Sequence, residues 1–178
     1  MLMGQKINLR RIEPPDLWRL WAWHEEEELY LFRQVRPFIS FDEVAARFAE
    51  LFHWKGDFIV ETKEGAPLGV CSWKNMVFKN RTCELEFQMG SKNQSESHAA
   101  DAVLTMSGLL FHELDMFRIG AFVPESSAFN RSVLEKNGFE KDGILRGHLF
   151  KDGAYEDVWT YAAFKKNGKR EKKGGGSD

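Results

Sequence analysis

Residues 81–89, RTCELEFQM, alternate without a break: Cys83, Leu85, Phe87 and Met89 fall on one side and Glu84, Glu86 and Gln88 on the other. A period of two predicts a strand buried on one face. A polar turn, GSKNQSES (90–97), follows, and then a run from His98 onwards, HAADAVLTMSGLLFHEL, where Val103, Met106 and Leu110 recur at helical spacing. Strand, short polar loop and helix bring the free N–H groups of the loop and of the first helical turn to one point. Such a point is a ready site for a phosphate or pyrophosphate.

The same patterning extends along the chain. A strand is expected at about 5–12, where Ile7 and Leu9 alternate with polar residues, and Pro14-Pro15 ends it. Pro15 or Asp16 then opens a helix with Leu17, Leu20 and Trp21 on one face. Ser40-Phe41-Asp42-Glu43 reads as a capping box for a second helix over about 41–54, with Val44, Phe48, Leu51 and Phe52 buried. Strands at about 57–63 and 67–77 meet across the turn Glu64-Gly65. FRIGAFV (117–123) is a further strand, and Pro124-Glu125-Ser126-Ser127 starts a helix that buries Phe129, Val133 and Leu134 and stops at Asn137-Gly138. Two final strands, about 143–150 and 156–164, form a hairpin across Lys151-Asp152-Gly153. The order β-α-α-β-β-β-α-β-α-β-β predicts an α+β (or α/β) protein. Its single mixed sheet has about seven strands, mostly antiparallel with one βαβ unit, and helices on both faces.

Composition narrows the picture. A chain of 178 residues accommodates one domain with a sizeable core. No run reaches the roughly 20 apolar residues of a membrane span, and the start of the chain lacks a signal-peptide core, so a soluble cytoplasmic protein is expected. Cys71 and Cys83 are too few for a disulfide framework and lack metal-ligand spacing, so both read as buried thiols. His24, His53, His112 and His148 form no ligand set, and no metal is expected. The last 14 residues, KKNGKREKKGGGSD, hold six of the 25 basic side chains and two of the 27 acids, which leaves residues 1–164 with a net charge of −6. An acidic body argues against a nucleic-acid-binding face and favours a cationic partner. Residues 165–178 read as a basic, Gly-rich, disordered tail beyond a domain at 1–164. The acidic run Glu25–Glu28 is a solvated face or a rim that draws in an amine. Trp18, Trp21, Trp23 and Phe32 are core aromatics or a cation–π surface, and Tyr155 and Tyr161 are packed rings or pocket walls.

The element order, together with VLEKNGF (133–139), GILRGHLF (143–150) and DGAYEDVWTYAAF (152–164), resembles the GNAT superfamily of acyl-CoA-dependent N-acyltransferases, in particular its ribosomal-protein N-terminal and spermidine acetyltransferase branches. The resemblance implies CoA binding through a Gln/Arg-x-x-Gly-x-Gly/Ala loop, which here reads Gln94-Ser95-Glu96-Ser97-His98-Ala99. Gln94 and Ala99 match, while Ser97 stands in place of glycine and Glu96 adds a negative charge that Lys92 and His98 are placed to offset. A serine hydroxyl there can donate to a phosphate oxygen. Backbone groups of Phe87, Gln88 and Met89 are expected to pair with the pantetheine amides as an added strand would.

The resemblance also implies a catalytic set. Glu84 aligns with the carboxylate of the family's fourth strand and is the base candidate, with Glu86 beside it; the alternative is that both face water or an arginine such as Arg81. The family's Asn-x-x-Ser appears with its residue types exchanged, as Ser127 and Asn130, and Asn130 can donate an N–H to the departing thiolate. The tyrosine acid of the spermidine enzymes falls at Leu134 and is absent. The implied activity is acetyl transfer from acetyl-CoA to a primary amine, on a small molecule or a protein N-terminus. A GNAT fold that serves instead as an acyl-CoA sensor or partner-binding module stays open, as does a homodimer.

Overall fold

The computed structural model describes residues 1–25, 40–46, 56–90, 95–151 and 153–166. Among these, eight strands form one sheet: β1 (Leu2–Met3), β2 (Ile7–Arg11), β3 (Gly56–Thr62), β4 (Pro67–Val77), β5 (Thr82–Met89), β6 (Arg118–Pro124), β7 (Glu140–Lys151) and β8 (Ala154–Phe164). The spatial order is β1-β2-β3-β4-β5-β6-β8-β7. Every neighbouring pair is antiparallel except β5 with β6, the βαβ unit expected at the centre. One strand more is present than the seven predicted. It is β1, whose two residues pair with Asn8 and Leu9 and are too short to show a period.

The helices are α1 (Leu17–Glu25), α2 (Phe41–Ala46), α3 (Glu96–Gly108) and α4 (Ala128–Lys136). A 3-10 turn at Pro14–Asp16 leads into α1, and Glu13 and Asp16 form a capping box around it. The predicted box at α2 is also present: Glu43 N–H donates to Ser40 Oγ (3.3 Å) and Ser40 N–H to a Glu43 carboxylate oxygen (3.1 Å). The α3 helix starts two residues ahead of the expected His98, because Ser95 occupies the N-cap. Its last turn widens into a π turn at Leu109–Glu113. Both strands of the final hairpin extend beyond their predicted ends. Phe48, Leu51, Phe52, Phe32, His53, the acids 26–28, the loop residues 91–94 and the tail from 167 lie outside the described residues, as do the side chains of His24 and Val44.

Alternation sorts each strand between two faces. Cys83, Leu85, Phe87 and Met89 face α3 and α4, where Val103, Met106, Leu110, Val133 and Leu134 are fully buried against them and against Ile119. Phe129, predicted to be buried, is only half-covered at the margin of this core. On the opposite face, Leu17, Leu20 and Trp23 of α1 cover Ile59 of β3 and Val70 of β4. Arg10 ties α1 to the sheet there, donating to both Asp16 oxygens (2.6 and 2.7 Å) and to Glu61 (2.7 Å). Cys71 and Cys83 are buried, as expected. Burial pushes the Cys83 thiol up to about 11 and the Cys71 thiol higher still. Tyr161 is buried and donates its hydroxyl to Glu135 (2.8 Å), so it is core rather than a pocket wall. Tyr155 lies exposed against the Phe150 ring.

Candidate active site

The parallel pair β5–β6 is joined at one end and open at the other. Its ladder consists of Thr82–Arg118, Cys83–Ile119 and Glu84–Gly120, and stops there. The outer partners hold each strand beyond that point. β5 stays paired to β4 as far as Met89, opposite Gly69, and Gly90 N–H reaches Leu68 O (2.9 Å). β6 stays paired to β8 as far as Pro124, opposite Val158. The result is a wedge between residues 85–89 and 121–124. Gly69 makes the β4 side possible, because a Cβ there would lie 2.3 Å from Gln88 O and 2.8 Å from Met89 Cα. At the joined end, Arg81 donates to Asp115 Oδ1 (2.7 Å) and to Asp115 O (2.8 Å), and Lys165 reaches the same carboxylate (2.6 Å). Lys165 is thus part of the fold.

Glu84 sits at the last paired position, on the face away from α3. Its carboxylate accepts from Asn75 Nδ2 (2.8 Å). Glu86, one step further into the open stretch, is paired with the Lys74 ammonium (2.5 Å). Arg81, proposed as a partner for this pair, is taken by Asp115 instead. Next to Glu84, Gly120 leaves room that the Arg118 guanidinium borders, and Arg118 is itself held by Asp142 (2.6 Å).

The N-terminus of α3 follows the open end of β5. His98 and Ala99 N–H groups both go to Ser95 O (3.1 and 3.0 Å), while those of Glu96 and Ser97 precede the first helical bond. Ser95 makes no side-chain cap bond, and its hydroxyl lies 3.3 Å from that of Ser97. Lys92, one of the two residues expected to offset Glu96, lies outside the described residues, and two groups of α4 that were not expected bind Glu96. Its carboxylate is bound by Lys136 (2.6 Å) and Ser132 (2.5 Å) of α4. Lys136 foremost, with Ser132, holds that carboxyl below the usual carboxylate range. Ala99 is fully buried, so its small size serves the packing of α3 on the sheet.

A sheet splayed at one parallel pair, with a helix N-terminus at its mouth, is a fold-level signature, and comparison assigns it. Residues 6–140 match the family described as acetyltransferase (GNAT) domain. The chain belongs to the GNAT family. Among GNAT relatives, the uncharacterized N-acetyltransferase YoaA of Bacillus subtilis is 23% identical over 93% of this chain and 97% of its own length. The spermidine N(1)-acetyltransferase of Vibrio cholerae is 22% identical over 88% of this chain and 91% of its own. The structure of a Vibrio cholerae spermidine N-acetyltransferase in complex with CoA and spermine superposes with a TM-score of 0.80 at 20% identity, covering 91% of this chain and 97% of that one. The chain is an N-acetyltransferase of this fold.

Within the GNAT frame, Glu84, Glu86, Phe87, Gln88 and Met89 all lie on the β5 wall, and Ser95 to Ala99 form the start of α3. Gln94 lies outside the described residues. Ser127 is the N-cap of α4 and Asn130 stands half-buried on its first turn, after the open end of β6. Leu134 is fully buried. Asn75, Gly69 and Lys136 were not singled out from the sequence. Asn75 and Lys136 act across strand or helix pairings that carry no local pattern, and Gly69 reads as one glycine in an apolar run.

Proposed function

We propose that this GNAT protein transfers an acetyl group from acetyl-CoA directly to a primary amine on a small molecule or a protein N-terminus. The wedge that opens just past Glu84 is the observation that supports this reading most. Its β5 wall offers the backbone of Phe87, Gln88 and Met89 to the pantetheine, and the loop from Gln94 to Ala99 offers N–H groups and two serine hydroxyls to the pyrophosphate. The compensated charge of Glu96 favours an anion there. When bound, acetyl-CoA supplies a thioester carbonyl open to attack by a neutral amine.

Glu84 serves as the base. It stands at the apex of the wedge with a neutral amide for a partner, whereas Glu86 is occupied by a lysine. Glu84 takes the proton from the acceptor ammonium, directly or through one water, and holds the amine in line. Backbone N–H groups on the unpaired edge of β5 polarise the carbonyl oxygen. Ser127 and Asn130 lie toward the thioester, and Asn130 donates an N–H to the departing sulfur. The net charge of −6 on residues 1–164 favours a cationic acceptor. We place the protein in the cytoplasm; no helix among the described residues is long and apolar enough to cross a membrane.

Calorimetric titration with acetyl-CoA tests the reading first, with a micromolar Kd expected, about −8 kcal/mol. Spermidine and N-terminal peptides are then offered as acceptors. Glu84→Gln is expected to lower kcat by roughly 10²–10⁴-fold with acetyl-CoA affinity unchanged. Unaltered kcat in that variant removes Glu84 from the chemistry. A second reading, acyl-CoA sensing without turnover, draws on Ser97 in place of glycine and on Leu134 in place of the tyrosine. Tight binding with no acetylated product from any amine would select it.

A further inference from the structure

The β4–β5 ladder runs in step from Gly69–Met89 to Lys74–Glu84 and then jumps to Val77–Thr82. Two residues of β4, Asn75 and Met76, therefore stand against one of β5, Cys83. This is a β-bulge, and it occurs beside the carboxylate assigned to proton transfer. In an unbroken strand, residue 75 would face away from Lys74 and Glu84. Instead Asn75 takes a left-handed φ of 51° and turns its amide onto Glu84 Oε2 at 2.8 Å. Met76 then continues into the core side of the sheet.

A left-handed non-glycine residue carries a steric penalty, and asparagine is among the side chains that tolerate it best apart from glycine. The bond it makes is solvent-exposed, where a hydrogen bond contributes little to stability. Bulges of this kind commonly re-aim a side chain next to an active site.

We propose that Asn75 is a positioning residue: the β4 bulge exists to hold one oxygen of Glu84 and leave the other aimed at the acceptor amine. The inference rests on the assignment of Glu84 as base. Asn75 acts through that carboxylate alone.

Asn75→Gly is the informative variant, because glycine keeps the left-handed backbone and removes only the amide. With spermidine as acceptor probe, it is expected to lower kcat by about 10- to 100-fold. The KM for acetyl-CoA and the melting temperature should stay at the wild-type values. In a Glu84→Gln background the same change should cost nothing further. Wild-type kcat in Asn75→Gly beside an impaired Glu84→Gln overturns the positioning role and leaves the base intact. Wild-type kcat in Glu84→Gln overturns the base itself. A second arm needs no turnover. The Asn75 side-chain amide resonances in a nitrogen–proton NMR spectrum should move in Glu84→Gln, and their failure to move shows that the bond does not form in solution.

Discussion

At the scale of single residues, the charged groups that matter are those whose partners are fixed by geometry. Arg10 binds Asp16 with two nitrogens and Glu61 with a third, at a place where all three are largely covered. Burial works against the Asp16 charge, but the bonds from Arg10 and the Glu13 N–H outweigh it and hold the carboxyl below its ordinary range. A carboxyl depressed in the folded state adds stability above its unfolded pKa. That contribution fades as pH falls through the folded value. Asp16→Asn is therefore expected to cost roughly 1–3 kcal/mol at neutral pH by urea unfolding. The gap to wild type should narrow steadily below about pH 4. A gap that stays constant across that range would show that the Asp16 charge adds nothing. Ser72 illustrates the converse: its buried hydroxyl has no partner among the described residues, and the structure gives it no compensating bond.

Between elements, one ion pair sets the charge at the start of α3. Glu96 belongs to the first turn of α3 and Lys136 to the last turn of α4, so their contact both compensates the Glu96 charge and braces one helix on the other. Lys136→Met is expected to weaken acetyl-CoA binding about 3- to 10-fold at low ionic strength, with the deficit shrinking in high salt. A salt-independent deficit would point to lost packing rather than lost charge. The sequence made these helices legible, but not their cross-brace. The alternation over 82–89 and the repeat of Val103, Met106 and Leu110 are local signals, and they mapped onto strand and helix with the expected buried faces. The partners of Glu84, Glu86 and Glu96 depend instead on side chains nine, 12 and 40 positions away, set by register and helix crossing. No periodicity encodes those distances. The likeness to a known family therefore pointed to candidate residues on β5 and at the start of α3, while only the structure showed the partners of Glu84, Glu86 and Glu96.

At the scale of the whole molecule, the wedge exists because each of its walls is fully paired on its outer side. β4 grips β5 up to its last residue through the bare backbone of Gly69, and β8 carries β6 away. Gly69→Ala forces a methyl group against the Gln88 carbonyl and should destabilise the fold by about 1–3 kcal/mol. It should also weaken acetyl-CoA binding by more than the loss of folded protein explains, since β5 has to move into the opening. An unchanged Kd would show that the wedge is set elsewhere, for instance by the Arg81–Asp115–Lys165 latch. The sheet's two flanks carry a different message. Among the described residues, one flank ends in the two-residue β1, and the other is β7, whose ladder breaks at 141–143 and again at 145–149. Gly147 takes a left-handed φ of 55° in the second break and turns its N–H inward to Asp157. Neither flank offers a long, flat row of unused backbone groups to a passing strand. Among the described residues, the open seam thus lies at the centre of the sheet, while its borders are short or broken and give an incoming strand little to pair with.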